Sequence, residues 1–318
     1  MKPLRIGTRG STLALWQANH IADLLARLHG VETELVRIRT SGDRLQSASV
    51  AQINAAIGAE SGAKGIFIKE LEEALLADTV DLAVHSMKDV PTEIPDSLAF
   101  SAITHREDPR DCLISLQGRT LNNLPPGARV GTSSLRRQAQ IRHHRPDLEA
   151  VDLRGNVDTR LKKLDAGEFD AIVLAMAGVN RLGATGRVTQ VLKADVMLPA
   201  VGQGALGIET RAADARTSEM VEALDDPETR ACVTAERALL HELQGGCQVP
   251  LGAWAHFAGG ELLIEAAVFS VDGKEVVRGE ERGSPADAAG AGKRLGKVLL
   301  EAGADKLLRL SGRSVGQL

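Results

Sequence analysis

Two short segments gather the residues best suited to hold an anion. They read Gly131-Thr132-Ser133-Ser134-Leu135-Arg136-Arg137 and Asp152-Leu153-Arg154-Gly155-Asn156-Val157-Asp158-Thr159-Arg160, and seven arginines fall between Arg129 and Arg160. The chain as a whole carries a formal net charge of −4. An acidic chain that collects permanently charged, bidentate guanidiniums beside small hydroxyls is set up for a multivalent carboxylate or phosphate. Each charge-assisted hydrogen bond contributes about 1.5–3 kcal/mol, so a row of them suits a ligand with many acid groups. If Ser134 starts a helix, Arg136 and Arg137 lie in its first turn, where free N–H groups and the helix dipole also favour an anion. The competing reading is a solvated helix face with surface ion pairs.

Three further places carry chemistry. Lys88-Asp89 follows a strand-like run, and ligands of open α/β sheets gather outside the carboxyl ends of strands. A neighbouring lysine favours the ionised carboxylate, which could accept an N–H or stabilise a cation; the plainer reading is an aspartate capping a turn before Pro91. His85 reads as a base or, more commonly for a strand end, as structural, and His143 and His144 carry no role. Cys247 stands in Gly245-Gly246-Cys247-Gln248, where two glycines remove side-chain cover from the thiol. That makes it a better nucleophile candidate than Cys112 in an apolar strand or Cys232 in a helix, and no triad order links it to His241. Arg9-Gly10-Ser11 marks another anion-facing turn. Gly62-Ala63-Lys64-Gly65 lacks the spacing of a phosphate loop.

These groups need a scaffold, and the chain supplies one of alternating strands and helices. Strand-like runs at 4–8, 31–39 and 81–86 flank helices at about 11–28 and 68–77, with Ser11 as N-cap and Gly30 as stop. A second set follows: strands at 111–115, 129–132, 148–153 and 171–175, and helices from Ser133 or Ser134 to about 143 and over 157–166. Such alternation argues for parallel α/β units. Residues 202–209 read as a strand entered through a glycine hinge. Asp226-Pro227 opens a helix to about 243; a hairpin of 262–269 and 275–278 and a closing helix over 286–302 complete a small α+β domain. No internal repeat is visible. The one long irregular stretch is 40–64.

At 318 residues the chain is expected to form two or three domains. With 43% apolar and 25% charged residues it reads as a soluble globular protein. With no tyrosine, two tryptophans and five phenylalanines it lacks the stacking residues of nucleic-acid grooves, and its pI near 6.1 lacks their basic footprint. No apolar run reaches membrane-spanning length, and the N-terminal residues show no export signal. Three widely spaced cysteines form neither a disulfide framework nor a zinc-binding pattern, so no metal is expected and a reducing cytoplasm is the simplest setting. Nothing demands more than a monomer.

In order along the chain, the motifs resemble those of the porphobilinogen deaminase family. They are Thr8-Arg9-Gly10-Ser11 with Leu13-Ala14-Leu15-Trp16-Gln17, Thr40-Ser41-Gly42-Asp43, and His85-Ser86-Met87-Lys88-Asp89-Val90-Pro91. The series continues with 131–137, 153–160, Pro199-Ala200-Val201-Gly202-Gln203-Gly204 and 245–250. The resemblance implies an α/β fold of three domains. Two periplasmic-binding-protein-like lobes would comprise 1–103 with 200–224, and 104–199; a C-terminal α+β domain, 225–318, would carry the cofactor cysteine. It implies that four porphobilinogen units are joined head to tail, losing ammonia each time, to give hydroxymethylbilane. By the same resemblance Cys247 would bind a dipyrromethane cofactor through a thioether, and Asp89 would face pyrrole N–H groups and stabilise the positive azafulvene. Lys88, Ser134, Arg136, Arg137 and Arg160 would hold acetate and propionate groups. Arg9, Ser11, Arg154 and Arg181 would line the region of incoming substrate and growing chain. The chain departs from the family pattern at Thr12, where proline is common, and over 44–63, where Gln52 lies near the place of a usual lysine; Lys64 and Phe67 belong to that altered stretch. The rival readings are a non-enzymatic two-lobed polycarboxylate-binding protein and, more weakly, a cysteine-dependent acyl transferase or hydrolase.

Overall fold

A computed structural model describes residues 2–41, 68–243 and 249–314, with side chains through 309. The expectations for Gly42-Asp43, for 44–63 with Lys64 and Phe67, and for Cys247 lie outside the described residues.

The first lobe begins with β1 (Leu4–Thr8), α1 (Thr12–His29) and β2 (Thr33–Arg37). Ser11 caps α1 by accepting the Ala14 N–H at 3.3 Å, and Gly30 ends it in the left-handed region at φ 64°. Between these signals the apolar face of α1 buries Ile21 and Leu25 against β1 and β3. Then come α2 (Lys69–Leu76), β3 (Leu82–Ser86) and β4 (Leu98–Ile103), and the chain returns much later as β10 (Leu206–Arg211). The sheet order is β2-β1-β3-β10-β4, with β1 parallel to β2 and β3, and β10 antiparallel to β3 and β4. α6 (Ala215–Glu222) packs beside β4 and β10.

The second lobe contains β5 (Asp111–Ser115), β6 (Arg129–Gly131), α3 (Leu135–His144), β7 (Glu149–Val151), α4 (Val157–Asp165), β8 (Ala171–Ala175), α5 (Met176–Arg181) and β9 (Gln190–Val191). Its order is β7-β6-β8-β5-β9, with β6 parallel to β7 and β8, and β5 antiparallel to β8 and β9. The two sheets therefore share one layout. Three parallel strands are followed by an antiparallel strand and an edge strand. The repeat absent from the residue order is present in the connectivity, because many apolar sequences satisfy the same layer packing.

The C-terminal part contains α7 (Pro227–Glu242), the meander β11 (Leu251–Ala258), β12 (Glu261–Phe269) and β13 (Val276–Gly283), then α8 (Ala288–Glu301) and α9 (Ala304–Ser314). Asp226 caps α7 by accepting the Thr229 N–H at 2.8 Å. Its core joins Leu239, Leu251, Ile264, Val268, Leu295 and Leu299. β13 is longer than expected because it is a polar edge strand, which hydropathy marks poorly. The expected closing helix over 286–302 is present as α8, and after Gly303, φ 99°, a further helix, α9, follows it.

The chain divides into two compact units. One is Met1–Arg106 with Ala205–Arg230; the other is Glu107–Gly204 with Ala231–Leu318. Within the second unit the C-terminal sheet docks on the second lobe. The Ala253 N–H donates to Pro199 O at 2.9 Å, Arg142 donates to Val271 O at 2.7 Å, and Phe269 packs with Ala139 and Leu198. A Cβ on Gly252 would lie 2.6 Å from Leu198 Cβ and 2.9 Å from its carbonyl oxygen. Gly252→Ala is therefore expected to cost about 1–3 kcal/mol through overpacking, measured as a lower urea midpoint.

Candidate active site

In the first lobe, Arg9 and Ser11 leave the carboxyl end of β1. Lys88 and Asp89 leave that of its parallel neighbour β3, on a single 3-10 turn, Met87–Asp89. The Met87 N–H donates to Ala205 O at 3.0 Å, and Met87 and Val90 are buried, so the turn is pinned on both sides of the pair. Lys88 and Asp89 stay half-buried. The turn-capping role is not observed: among the described residues the Asp89 carboxylate makes no hydrogen bond.

In the second lobe, Ser134 occupies the N-cap position of α3 without a side-chain capping bond. Arg136 and Arg137 are in the first turn, as expected, but they do not form a solvated face; each is only 5% exposed. Their guanidiniums converge on Asp111, which is 0% exposed at the start of β5. Arg136 Nη1 lies 2.7 Å from Asp111 Oδ2, and Arg137 donates to Oδ1 from Nη2 at 2.7 Å and Nε at 3.2 Å. Gln203 adds an amide N–H to Oδ1 at 2.8 Å. Arg136 also donates to Leu198 O, and Arg137 to Val173 O. Burial pushes the Asp111 carboxyl up, but the two guanidiniums overcome it and hold the group well below the usual carboxylate range. Among the described residues the cluster sets two guanidiniums against one carboxylate.

Arg154 follows β7, is half-buried, and makes no side-chain hydrogen bond among the described residues. Asn156 caps α4 by accepting the Thr159 N–H at 3.0 Å, and Arg160 Nε donates to Gly155 O at 2.8 Å, so the turn after β7 holds this cation. Gly155 sits at φ 114°, a backbone that favours glycine. Arg181 ends α5, after β8, and donates to Gly204 O at 2.7 Å; burial pushes it down to about 10. Thus Ser134, Arg136, Arg137, Arg154 and Arg160 gather after adjacent parallel strands of one sheet, while Arg181 is more deeply committed to backbone.

Burial pushes the Cys112 thiol up to about 12, which keeps it protonated and unreactive. The sequence reading missed Asp111, Gln203, Glu209 and Glu236. The signal was there in part: Asp111 opens a mostly apolar strand and Glu209 follows the apolar run 205–208, and an acid buried in such a place demands a partner. Glu236 accepts the N–H groups of Gly202 at 2.6 Å and Ala255 at 2.8 Å.

Cations and hydroxyls thus collect at the carboxyl edge of each sheet of this α/β protein. Residues 4–219 match the family model described as porphobilinogen deaminase, dipyromethane cofactor binding domain, and 230–301 match its C-terminal domain. The chain is 50% identical over 306 residues to the porphobilinogen deaminase of Syntrophobacter fumaroxidans, covering 96% of each. It is 50% identical over 315 residues to that of Pelobacter propionicus, covering 99% of this chain and 96% of the other. The chain belongs to the porphobilinogen deaminase family. Among solved structures it is similar to the methionine-binding protein MetQ at 14% identity and TM-score 0.44, covering 70% of this chain and 89% of that one. It is also similar to the aliphatic sulphonate binding protein SsuA from Escherichia coli at 16% identity and TM-score 0.38, covering 77% and 71%. Among the described residues no helix is long and apolar enough to cross a membrane.

Asp111→Asn would leave two buried arginines without their anion and is expected to cost about 3–5 kcal/mol. Because the folded carboxyl is depressed, its stabilisation is complete above the unfolded value near ~4 and is lost as pH falls below it. Urea unfolding between neutral and acid pH should show that loss in the wild type and a smaller one in the variant.

Proposed function

We propose that the chain joins four porphobilinogen molecules head to tail, releasing ammonia at each addition, to give hydroxymethylbilane on a covalently bound dipyrromethane. The observation that carries this reading is the set of cations and hydroxyls at the carboxyl edges of both sheets, with a carboxylate, Asp89, that makes no hydrogen bond among the described residues at one of them. Dipyrromethane bears acid groups and pyrrole N–H groups, and this donor set fits both kinds. Lys88, Ser134, Arg136, Arg137 and Arg160 hold its acid groups, and Cys247 forms the thioether. Arg9, Ser11, Arg154 and Arg181 take the acid groups of substrate and growing chain. When bound, the cofactor supplies the nucleophilic pyrrole carbon from which growth starts.

The protein's own part is electrostatic. Every added unit brings two carboxylates, so the growing chain repels itself unless fixed cations neutralise it. Arginines already ordered by Asp111, Gly155 and Gly204 do this without reorganising. Asp89 accepts pyrrole N–H groups and places a fixed negative charge beside the cation that develops on the substrate as ammonia departs. The thioether at Cys247 forms once, so no nucleophile–base pair is needed at each turnover. We further propose three domains, at 1–103 with 200–224, 104–199 and 225–318, and a cytoplasmic monomer that handles porphobilinogen and no nucleic acid. The buried cysteines Cys112 and Cys232, neither in a disulfide among the described residues, and the scarcity of aromatic residues accord with this.

Intact-mass measurement is the first test. The purified protein should exceed its sequence mass by one dipyrromethane, and Cys247→Ser should abolish the excess; an unmodified wild type that cannot be loaded with porphobilinogen would sink the proposal. Asp89→Asn should keep the adduct and the fold while kcat falls by about 10²-fold or more. Near-normal turnover in that variant would remove Asp89 from its role.

A further inference from the structure

His85 and Glu209 are buried ionisable groups that the reaction just described leaves unused. His85 is 4% exposed and Glu209 0%. They lie on adjacent antiparallel strands, His85 opposite Gly207 on β10 and Glu209 opposite Ala83 on β3, which makes them diagonal neighbours on one sheet face. His85 Nε2 is 2.9 Å from Glu209 Oε2. The contact lacks hydrogen-bond alignment, and among the described residues neither Glu209 oxygen has a hydrogen-bond partner. Glu72 on α2 adds a second, half-buried acid nearby, its carboxyl pushed up by burial and by Glu209.

A buried carboxylate without a donor costs several kcal/mol, and the His85 imidazole, 2.9 Å away, is the nearby group able to offset that cost electrostatically. The surroundings leave the ring little freedom. Phe100 meets it edge-on at 6.0 Å between centroids. A Cβ on Gly207 would lie 2.7 Å from the Phe100 ring and would also collide with the Met87 sulfur, so this face of β10 has room for Met87 only because residue 207 is glycine. Met87 opens the turn that carries Lys88 and Asp89, and its N–H is tied to Ala205 O just before β10. The register of β3 on β10 therefore sets where Asp89 stands. β10 enters the sheet from far along the chain, and the His85–Glu209 contact is a polar tie across that long-range pairing.

We propose that His85 and Glu209 form a positioning pair for the reaction. Glu209, rooted in β10, holds the His85 ring, and His85 fixes the end of β3 from which the Asp89 turn departs. The inference rests on the reading of Asp89 given above. It is distinct from a bulk contribution to stability, because a displacement of about 1 Å at a reacting group can cost about 10²-fold in rate.

Glu209→Gln, which keeps shape and removes charge, tests this directly. Per cofactor-loaded folded molecule, kcat should fall at least about tenfold with KM unchanged, and intact mass should still show the adduct. Backbone hydrogen exchange over residues 86–90 should speed up, in loaded protein and equally in cofactor-free Cys247→Ser protein. If the single variant does not accumulate folded, the double variant His85→Gln/Glu209→Gln, which leaves no buried charge in the pair, carries the same expectation. Either variant, folded and loaded with wild-type kcat and exchange, overturns the pair, as does a loss of stability with kcat per loaded molecule intact. Asp89→Asn run in parallel separates the two failures. An inactive Asp89→Asn beside a fully active Glu209→Gln sinks the positioning pair alone; an active Asp89→Asn sinks the reading of Asp89 and the pair with it.

Discussion

A buried guanidinium requires an anion, and one residue, Asp111, meets that requirement for two of them at once. Without it the first turn of α3 would place two cations in a nearly water-free interior beside a helix N-terminus, whose dipole already opposes positive charge. With it, both arginines are ordered, two guanidiniums sharing one carboxylate among the described residues. The same carboxylate accepts from Gln203, and Arg136 reaches the Leu198 carbonyl. One buried group thus ties together the start of β5, the start of α3 and the segment that follows β9.

The shared layout of the two sheets explains where the remaining candidate side chains fall. In each, parallel strands end at the edge where helices begin, so backbone N–H groups, hydroxyl caps and cations collect there together. In the first lobe this edge offers Arg9, Ser11, Lys88 and Asp89, and in the second Ser134, Arg136, Arg137, Arg154 and Arg160. The lobes differ in one respect that matters for the chemistry. The first presents a carboxylate with no hydrogen-bond partner among the described residues, whereas the second has its strongest carboxylate sealed away as a counter-ion. Two acids at the carboxyl edges of the two sheets thus differ in burial and in partners.

Much of the fold is legible in the order of residues. Ser11 and Gly30 bracket α1, Asp226-Pro227 opens α7, and the apolar runs at β5 and β8 fall at 111–115 and 171–175, as the hydrophobic pattern predicts. These succeed because caps, turns and apolar periodicity act over a few residues. The pattern fails at β13, whose exposed edge has no hydrophobic alternation to read, and at α5 and α6, which are short and draw their stability from the sheets they cover. The site residues were legible as types in motifs. Their partners were not: Asp111 lies 25 residues from Arg136, and Glu209 lies in another segment from His85.

The sequence by itself determined the chemical inventory: an acidic chain with clustered arginines, one aspartate at a strand end, one glycine-flanked cysteine and the local elements that bear them. Tertiary structure alone decided which of those charges are paired within the protein. The reason is that ionic pairing depends on distance and on exclusion of water, and both arise only when segments far apart in the chain are packed into one sheet.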